Sequence, residues 1–330
     1  MLLTNDGPVP VLIRRPATGE CAVIDWLNLT MHVDTFKNRT QGMAEKELQE
    51  TCIDELNYEL KQIFGFGIEK ELGKGQNYYQ RTFALQNDFG SVSIGGQQNT
   101  ILLMLTGSGC THANYGWEQE LHAWLHINAV RPKITRIDYA FDDLSGELVS
   151  VDWADEQDTL GGFTCGGRPP SVEFRGNWKR PDGSGRTLYI GKRTSSKFCR
   201  FYEKGKELGD KESPWVRCEV EYKAKHYFLP LDALLKPSEY FLAAYPCFHV
   251  FDNQDKAEKF ELKKQDATIT WNKAIAITKH QFSKYLKAFR DFYGDDAHVL
   301  DMLMPDKNEY PKRLQRLQAD WTNSMPPIAA

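Results

Sequence analysis

Three short segments limit the fold more than anything else in the chain. RIDYAFDD (136–143), KFCRFYEK (197–204) and WVRCEVEYK (215–223) each alternate apolar and charged residues with a period of two. That is the period of a strand, because successive side chains of an extended backbone leave on opposite sides. In the first, Ile137, Tyr139 and Phe141 oppose Arg136, Asp138 and Asp142. In the second, Cys199 and Phe201 oppose Arg200, Tyr202 and Lys204, and in the third, Cys218, Val220 and Tyr222 oppose Arg217, Glu219, Glu221 and Lys223. Such segments ask for a sheet with one packed face and one polar face.

The remaining patterns supply the partners of that sheet. AVIDWLNLTMHV (22–33) reads as a first strand. Leu48, Cys52, Ile53, Leu56, Leu60 and Ile63 recur at helical spacing, which predicts a helix over 44–64 that stops at Gly65. Strands are predicted over 78–85, 90–94 and 100–105, joined by Asn/Asp/Gly turns as an antiparallel meander. A short helix is marked by Trp117, Leu121, Trp124 and Leu125, a strand follows over 133–142, a loop-like stretch runs over 144–185, and strand character resumes at 187–190. The order predicts an α+β domain: an antiparallel sheet with helices packed on one face, followed by a helical C-terminal region. In that region Trp271, Ile275, Thr278, Phe282, Tyr285, Leu286 and Phe289 form one stripe ending at Gly294, for which core packing is the expected use. Because single cores stop growing near roughly 250–300 residues, the 330 residues are divided into a main domain, 1–250, and a helical part, 251–330, with a frayed tail from 322.

Composition excludes several classes. No apolar run approaches the ~18 residues a membrane span needs, and the two arginines within 1–16 are not followed by an apolar stretch. A protein neither exported nor membrane-spanning is expected. Seven cysteines (Cys21, Cys52, Cys110, Cys165, Cys199, Cys218 and Cys247) form no CxxC pair, which suits buried thiols in a reducing cytoplasm. The formal charge of −4 argues against coating DNA nonspecifically. Residues 171–206, however, hold ten basic and three acidic side chains, a local balance of +7. Charge alone leaves a solvated edge and a DNA-facing zone equally open.

If the three polar faces share one cleft, several carboxylates meet beside a tyrosine and several cations. Crowded carboxylates repel one another, and Mg²⁺ or Mn²⁺ commonly relieves them. Phosphoryl transfer is the natural use of that set. A phenol with pKa about 10 is a poor nucleophile unless a base, a metal or nearby cations favour the phenolate; Arg200 and Lys204 are the candidates for that bias. Strands with one charged face also occur simply where a sheet meets water, so periodicity alone leaves the function open. GRTLYIGKR (185–193) is excluded as a P-loop, having five residues between its glycines and Arg193 where Ser or Thr belongs. His122 and His126 lack the glutamate of a zinc-protease motif, Ala123 standing there, and no His-x-His occurs. For Tyr78 and Tyr79, core packing is expected over base stacking.

IDWLNLT (24–30), LTGSGC (105–110), RIDYAFDD, YIGKRTSSKFCRFYEKGKE (189–207) and WVRCEVEYK, in that order over about residues 22–225, resemble the Rep-trans replication initiators of rolling-circle plasmids, integrative elements and filamentous phages. The resemblance implies an enzyme that nicks one strand at a DNA origin, single-stranded or cruciform at the nick, leaving a 5′-phosphotyrosine link and a 3′-OH that host helicase and DNA polymerase would use. The family's F-x-R-[FIV]-Y-x-K strand places the nucleophile at Tyr202. The metal, Mg²⁺ or Mn²⁺, is then expected on acids: Asp138, Glu219 and Glu221, with Asp142 and Asp25 in reserve. Arg200, Lys204 and Arg217 are expected to steady the phosphate. Origin recognition or homodimerisation are the roles open to 251–330. A metal nuclease working through water, or an origin-binding regulator without catalysis, are the competing readings.

Overall fold

Leu27, Leu29 and Met31 on one strand, Ile137 and Tyr139 on the next, and Val220 beyond them are all buried, and every one lies on the same side of a single sheet. The computed structural model describes residues 2–4, 7–39, 43–225, 227–252 and 271–304. It contains two compact units, Met1–Lys263 and Lys264–Ala330. The first unit opens with a small hairpin of β1 (Leu2–Thr4) and β2 (Gly7–Val9). There follow β3 (Val23–His32), α1 (Glu45–Phe64), β4 (Ile68–Glu71), β5 (Arg81–Leu85), β6 (Gly90–Ile94) and β7 (Thr100–Leu105). After them come α2 (Gly107–His112), α3 (Trp117–Asn128), β8 (Lys133–Asp143), α4 (Val151–Thr159), β9 (Val172–Arg175), β10 (Thr187–Ile190), β11 (Lys197–Tyr202), α5 (Lys204–Glu207), β12 (Val216–Lys223) and α6 (Pro237–Leu242).

Ten strands make one antiparallel sheet in the order β4-β5-β6-β7-β3-β8-β12-β11-β10-β9. The expected α+β layout, with helices on one face, is what is found. Helix α1 buries Cys52, Ile53, Leu56, Leu60, Ile63 and Phe64 and ends at Gly65, whose left-handed backbone donates its N–H to the Lys61 carbonyl at 3.1 Å. Toward the other end of the sheet, Phe201 of β11 meets Trp153 of α4 at 5.8 Å, Phe163 at 5.9 Å and Phe248 at 6.1 Å between ring centres. Both edges, β4 (IEKE) and β9 (VEFR), are four residues long and carry charges.

Several expectations are corrected. The stretch 144–185 is not all loop: it holds α4, capped by the Ser150 hydroxyl accepting from the Trp153 N–H at 2.9 Å, and β9. Only Val151 and Ala154 of α4 are buried, too few to leave an apolar stripe in the sequence. LTGSGC ends β7 and then winds into α2 instead of making a simple turn. The strand expected from 78 starts at Arg81, β4 was not foreseen, and β11 stops at Tyr202, Lys204 opening α5. Tyr78 is almost fully exposed and not packed in the core. Five of the seven cysteines are buried, while Cys165 is exposed.

In the second unit, α7 (Trp271–Tyr293) and α8 (Asp296–Leu303) join through Gly294, and Asp295 caps α8 by accepting from the Ala297 N–H at 2.9 Å. Among the described residues of the α7 stripe, Leu286 and Phe289 are partly buried, whereas Ile275, Phe282 and Tyr285 are half-exposed. The predicted helical stretch 254–270 and the tail from 322 lie outside the described residues.

Phe201 ties the sheet to its helical cover, so Phe201→Ala should destabilise the chain by about 3–5 kcal/mol, the range for a buried phenylalanine. Urea denaturation measures this; a loss under about 1 kcal/mol would show that the site can collapse.

Candidate active site

β12 enters the sheet between β8 and β11, and this order builds the site. Its register sets Arg217 opposite Asp142 on one side and Tyr202 on the other, and sets Glu219 opposite Ala140 and Arg200. One step further along, Glu221 faces Asp138. The polar sides of the three strands therefore merge on the face that the helices leave free.

At the centre the Tyr202 hydroxyl donates to Glu219 Oε1. Arg200 Nε donates to Glu219 Oε2 at 2.5 Å, so both carboxylate oxygens are engaged. Arg217 holds Asp142 in a two-pronged pair, both contacts at 2.7 Å, and reaches Asp25 at 2.9 Å. The Trp215 indole also donates to Asp142, at 2.6 Å. Arg136 donates to Asp138 at 2.8 and 2.5 Å and bridges to Glu221 at 2.8 Å, while its guanidinium lies 4.7 Å from the Trp26 ring centre. Lys204 stands apart: its Nζ pairs with Glu207 at 2.7 Å and is 5.4 Å from the Tyr202 ring centre.

Asp25 comes in through a bulge. Ile24 pairs with Tyr139 and Trp26 with Asp138, so β3 carries one extra residue here, and both Asp25 and Trp26 turn to the polar face. α2 then packs so closely that a Cβ at Gly107 would sit 3.0 Å from the Asp25 carbonyl oxygen and 3.1 Å from Oδ1. The invariable alternation assumed for a strand hides such a residue. Arg136 was legible only as a charge beside Asp138.

Tyr202, Asp138 and Glu219 are 8%, 2% and 3% exposed, so electrostatics here are strong. Five carboxylates share the face with three arginines and with Lys223, which pairs with Glu221, and burial raises two of the carboxyls. Burial, with the charge of Glu219, pushes the Asp25 carboxyl up to about 7 against the pull of Arg217. Burial also pushes Asp138 up to about 6, although the Arg136 hydrogen bond opposes it and Glu221 and Glu219 add to it. Glu219 goes the other way: burial would raise it, but Arg200, Arg217 and the Tyr202 hydroxyl outweigh burial and hold it ionised. Tyr202 is driven well above a free phenol, by burial first and by Glu219 second. Arg217 and Arg200 pull the other way, as expected of nearby cations, but burial and Glu219 outweigh them, so Tyr202 rests as a phenol hydrogen-bonded to Glu219.

Hard oxygen donors with surplus negative charge suit a cation such as Mg²⁺ in kind. Among the described residues, no three His, Cys, Asp or Glu side chains are grouped to hold a metal, since a guanidinium stands between neighbouring acids.

The site brings together a buried phenol, an ionised carboxylate and converging arginines on the polar face of an antiparallel sheet, groups of the kind that phosphoryl transfer employs. The chain belongs to the replication initiation factor family, whose model matches residues 132–304, more than half of its length. It is 25% identical over 217 residues to a protein of Bacillus subtilis (strain 168) that carries the name DNA relaxase NicK. That match covers 61% of this chain and 60% of the relative. A solved rolling circle replication initiator protein from Geobacillus stearothermophilus is similar at 23% identity and a TM-score of 0.47, over 69% of this chain and 86% of that one.

The retained proton on Asp25 has a consequence for stability. Its folded value near 7 lies above the unfolded one near 4, so its stabilising contribution is full below the unfolded value and is lost as pH rises through about 7. Asp25→Asn cannot ionise. In buffer with EDTA, the melting temperature of Asp25→Asn relative to the parent chain should rise between about pH 5 and pH 8. A difference that stays constant or shrinks would refute this balance.

Proposed function

We propose that this protein starts rolling-circle replication by nicking one DNA strand at an origin through Tyr202. The Tyr202 oxygen attacks the scissile phosphorus, its proton passes to Glu219, and the bond to the 3′ oxygen breaks, that oxygen taking up a proton from water. The products are a 5′-phosphotyrosine link and a free 3′-OH. The exchange conserves the phosphodiester, so a second transfer can later reseal the displaced strand. One observation carries this reading: the hydroxyl of a nearly buried tyrosine rests on an ionised carboxylate, with Arg200 and Arg217 beside it. Membership in the replication initiation factor family and the relaxase name of the Bacillus relative support it.

Arg200 and Arg217 would stabilise charge on the phosphate oxygens as it develops, and they hold Glu219 and Asp142 in place until DNA arrives. Lys204 would contribute at longer range, once released from Glu207. Were Mg²⁺ or Mn²⁺ bound, Asp138, Glu219, Glu221 or Asp142, with Asp25 in reserve, would have to exchange arginine contacts for it, and the ion would supply polarisation of the scissile phosphate. Completion falls to a host helicase and DNA polymerase working from the 3′-OH in the cytoplasm. Origin recognition or pairing of two copies through 251–330 would complete the assembly. Among the described residues, no helix is long and apolar enough to cross a membrane.

The test is nicking of a supercoiled plasmid carrying the chain's own origin, in Mg²⁺ or Mn²⁺, with mass spectrometry of any DNA-bearing peptide. The parent chain should give a nick and an adduct on Tyr202. Tyr202→Phe should lose both by at least 10³-fold, as when a catalytic nucleophile is removed (roughly 10⁴ or more). Nicking by Tyr202→Phe without an adduct would mean that water is the nucleophile. Origin binding without nicking by the parent chain would mean a regulator.

A further inference from the structure

One strand beyond the nucleophile, the free face of the sheet carries an aromatic ring in an unusual setting. Register places Thr187 opposite Tyr202 and Tyr189 opposite Arg200. Tyr189 therefore shares the face of Tyr202, one strand over and two residues, about 7 Å, along. Its neighbours Leu188 and Ile190 fill the core, whereas Tyr189 is only partly buried.

A tyrosine near a sheet edge that served packing alone would have apolar neighbours. Phe198 does support the ring edge-on, at 5.1 Å and 69°. Two cations also contact it: the guanidiniums of Arg175 and Arg193 each stand over the ring, 5.5 Å from its centre, and Arg193 Nη2 donates to the Tyr189 hydroxyl at 3.4 Å, while Glu173 is its register partner on β9. Arg175 is paired with Glu173 at 2.6 Å. Among the described residues, neither Arg193 nor Lys192 has a carboxylate within ion-pair reach.

The turn that carries these two cations is held firmly. Gly191 takes a left-handed backbone, with φ of 88°, at its start. Lys223 donates to the Arg193 carbonyl at 2.5 Å and Lys225 to the Thr194 carbonyl at 3.3 Å. Two lysines of the neighbouring strand and its exit thus tie down the backbone of the turn, and the side chains of Lys192 and Arg193 are left exposed.

A supported aromatic ring beside Arg193, with Lys192 next to it in the turn and neither cation ion-paired among the described residues, is the equipment that binds unpaired nucleotides: a base stacks on the ring and its phosphate meets the cations. A base within a duplex offers no free face. We propose that Tyr189 is the stacking platform for a base of the single strand adjoining the nick, and that Arg193 with Lys192 binds that nucleotide's phosphate. This rests on the DNA-nicking reading and adds the residues that would align the strand with Tyr202.

Fluorescence anisotropy of the full-length protein with the single-stranded probe dT20, across a salt titration, tests it. Tyr189→Ala should weaken binding by roughly 5- to 150-fold, the effect of removing one stacking ring, while Tyr189→Phe should stay within about threefold because the ring, and not the hydroxyl, carries the contact. Arg193→Ala should flatten the salt slope by about 0.7, one single-strand phosphate contact. Binding by Tyr189→Ala equal to that of the parent chain, or by Tyr189→Phe as weak as Ala, overturns the proposal. Should Tyr189→Ala fail to fold, photocrosslinking of the parent chain to an oligonucleotide bearing 5-iododeoxyuridine decides. Attachment within 187–193 supports the platform and attachment only elsewhere overturns it. A parent chain that nicks plasmid through Tyr202 while Tyr189→Ala behaves identically, or while the parent chain has no affinity for dT20, leaves the nicking reading intact and removes this one; a parent chain that neither nicks its origin plasmid nor binds dT20 removes both.

Discussion

Glu219 is a nearly buried carboxylate that stays ionised because two arginines and a phenol engage it, and the rest of the site depends on that one compensation. A lone charge at that depth would be neutralised. Arg200 satisfies one oxygen and Tyr202 the other, so the charge that makes Glu219 a proton acceptor also orients the hydroxyl it would deprotonate. Removing either partner would leave a buried charge short of contacts, a change usually more damaging than the loss of the contact itself. Stability and chemistry therefore draw on the same atoms.

The sheet supplies this arrangement through its strand order. β12 is the last strand among the described residues yet sits between β8 and β11, so one strand presents Arg217 to Asp142 on one flank, and Arg217 and Glu219 to Tyr202 and Arg200 on the other. Phe201, the neighbour of Tyr202 in sequence, points the opposite way and locks against Trp153, Phe163 and Phe248. The phenol is thereby anchored through its own backbone. Burial first, and the charge of Glu219 second, push the Asp25 carboxyl up to about 7, so a further cation placed beside it would draw it toward ionisation.

Which residues share a face was readable in the sequence, because alternation in a strand leaves little freedom: Asp138, Asp142, Arg200, Tyr202, Arg217, Glu219 and Glu221 all turn to the polar side as the pattern requires. Which of them touch was not. The Tyr202–Glu219 contact is diagonal and follows from strand order, which short-range pattern does not encode. Asp25 escapes the pattern because a bulge adds a residue, and Lys204 departs because the chain coils straight after Tyr202. Helix α4 buries two small residues and so shows no stripe. The proton balance was misjudged for a related reason: counting cations near a phenol omits burial, which here dominates.

The two outer strands have an effect on the behaviour of many copies together. An open sheet of this width would ordinarily template further strands at either end, the route by which such proteins clump or form fibrils. Here each border is one short strand whose charges, Glu69, Lys70 and Glu71 at one side and Glu173 and Arg175 at the other, disfavour an added neighbour. The sheet can therefore keep its ten-strand width at high concentration without zipping border to border.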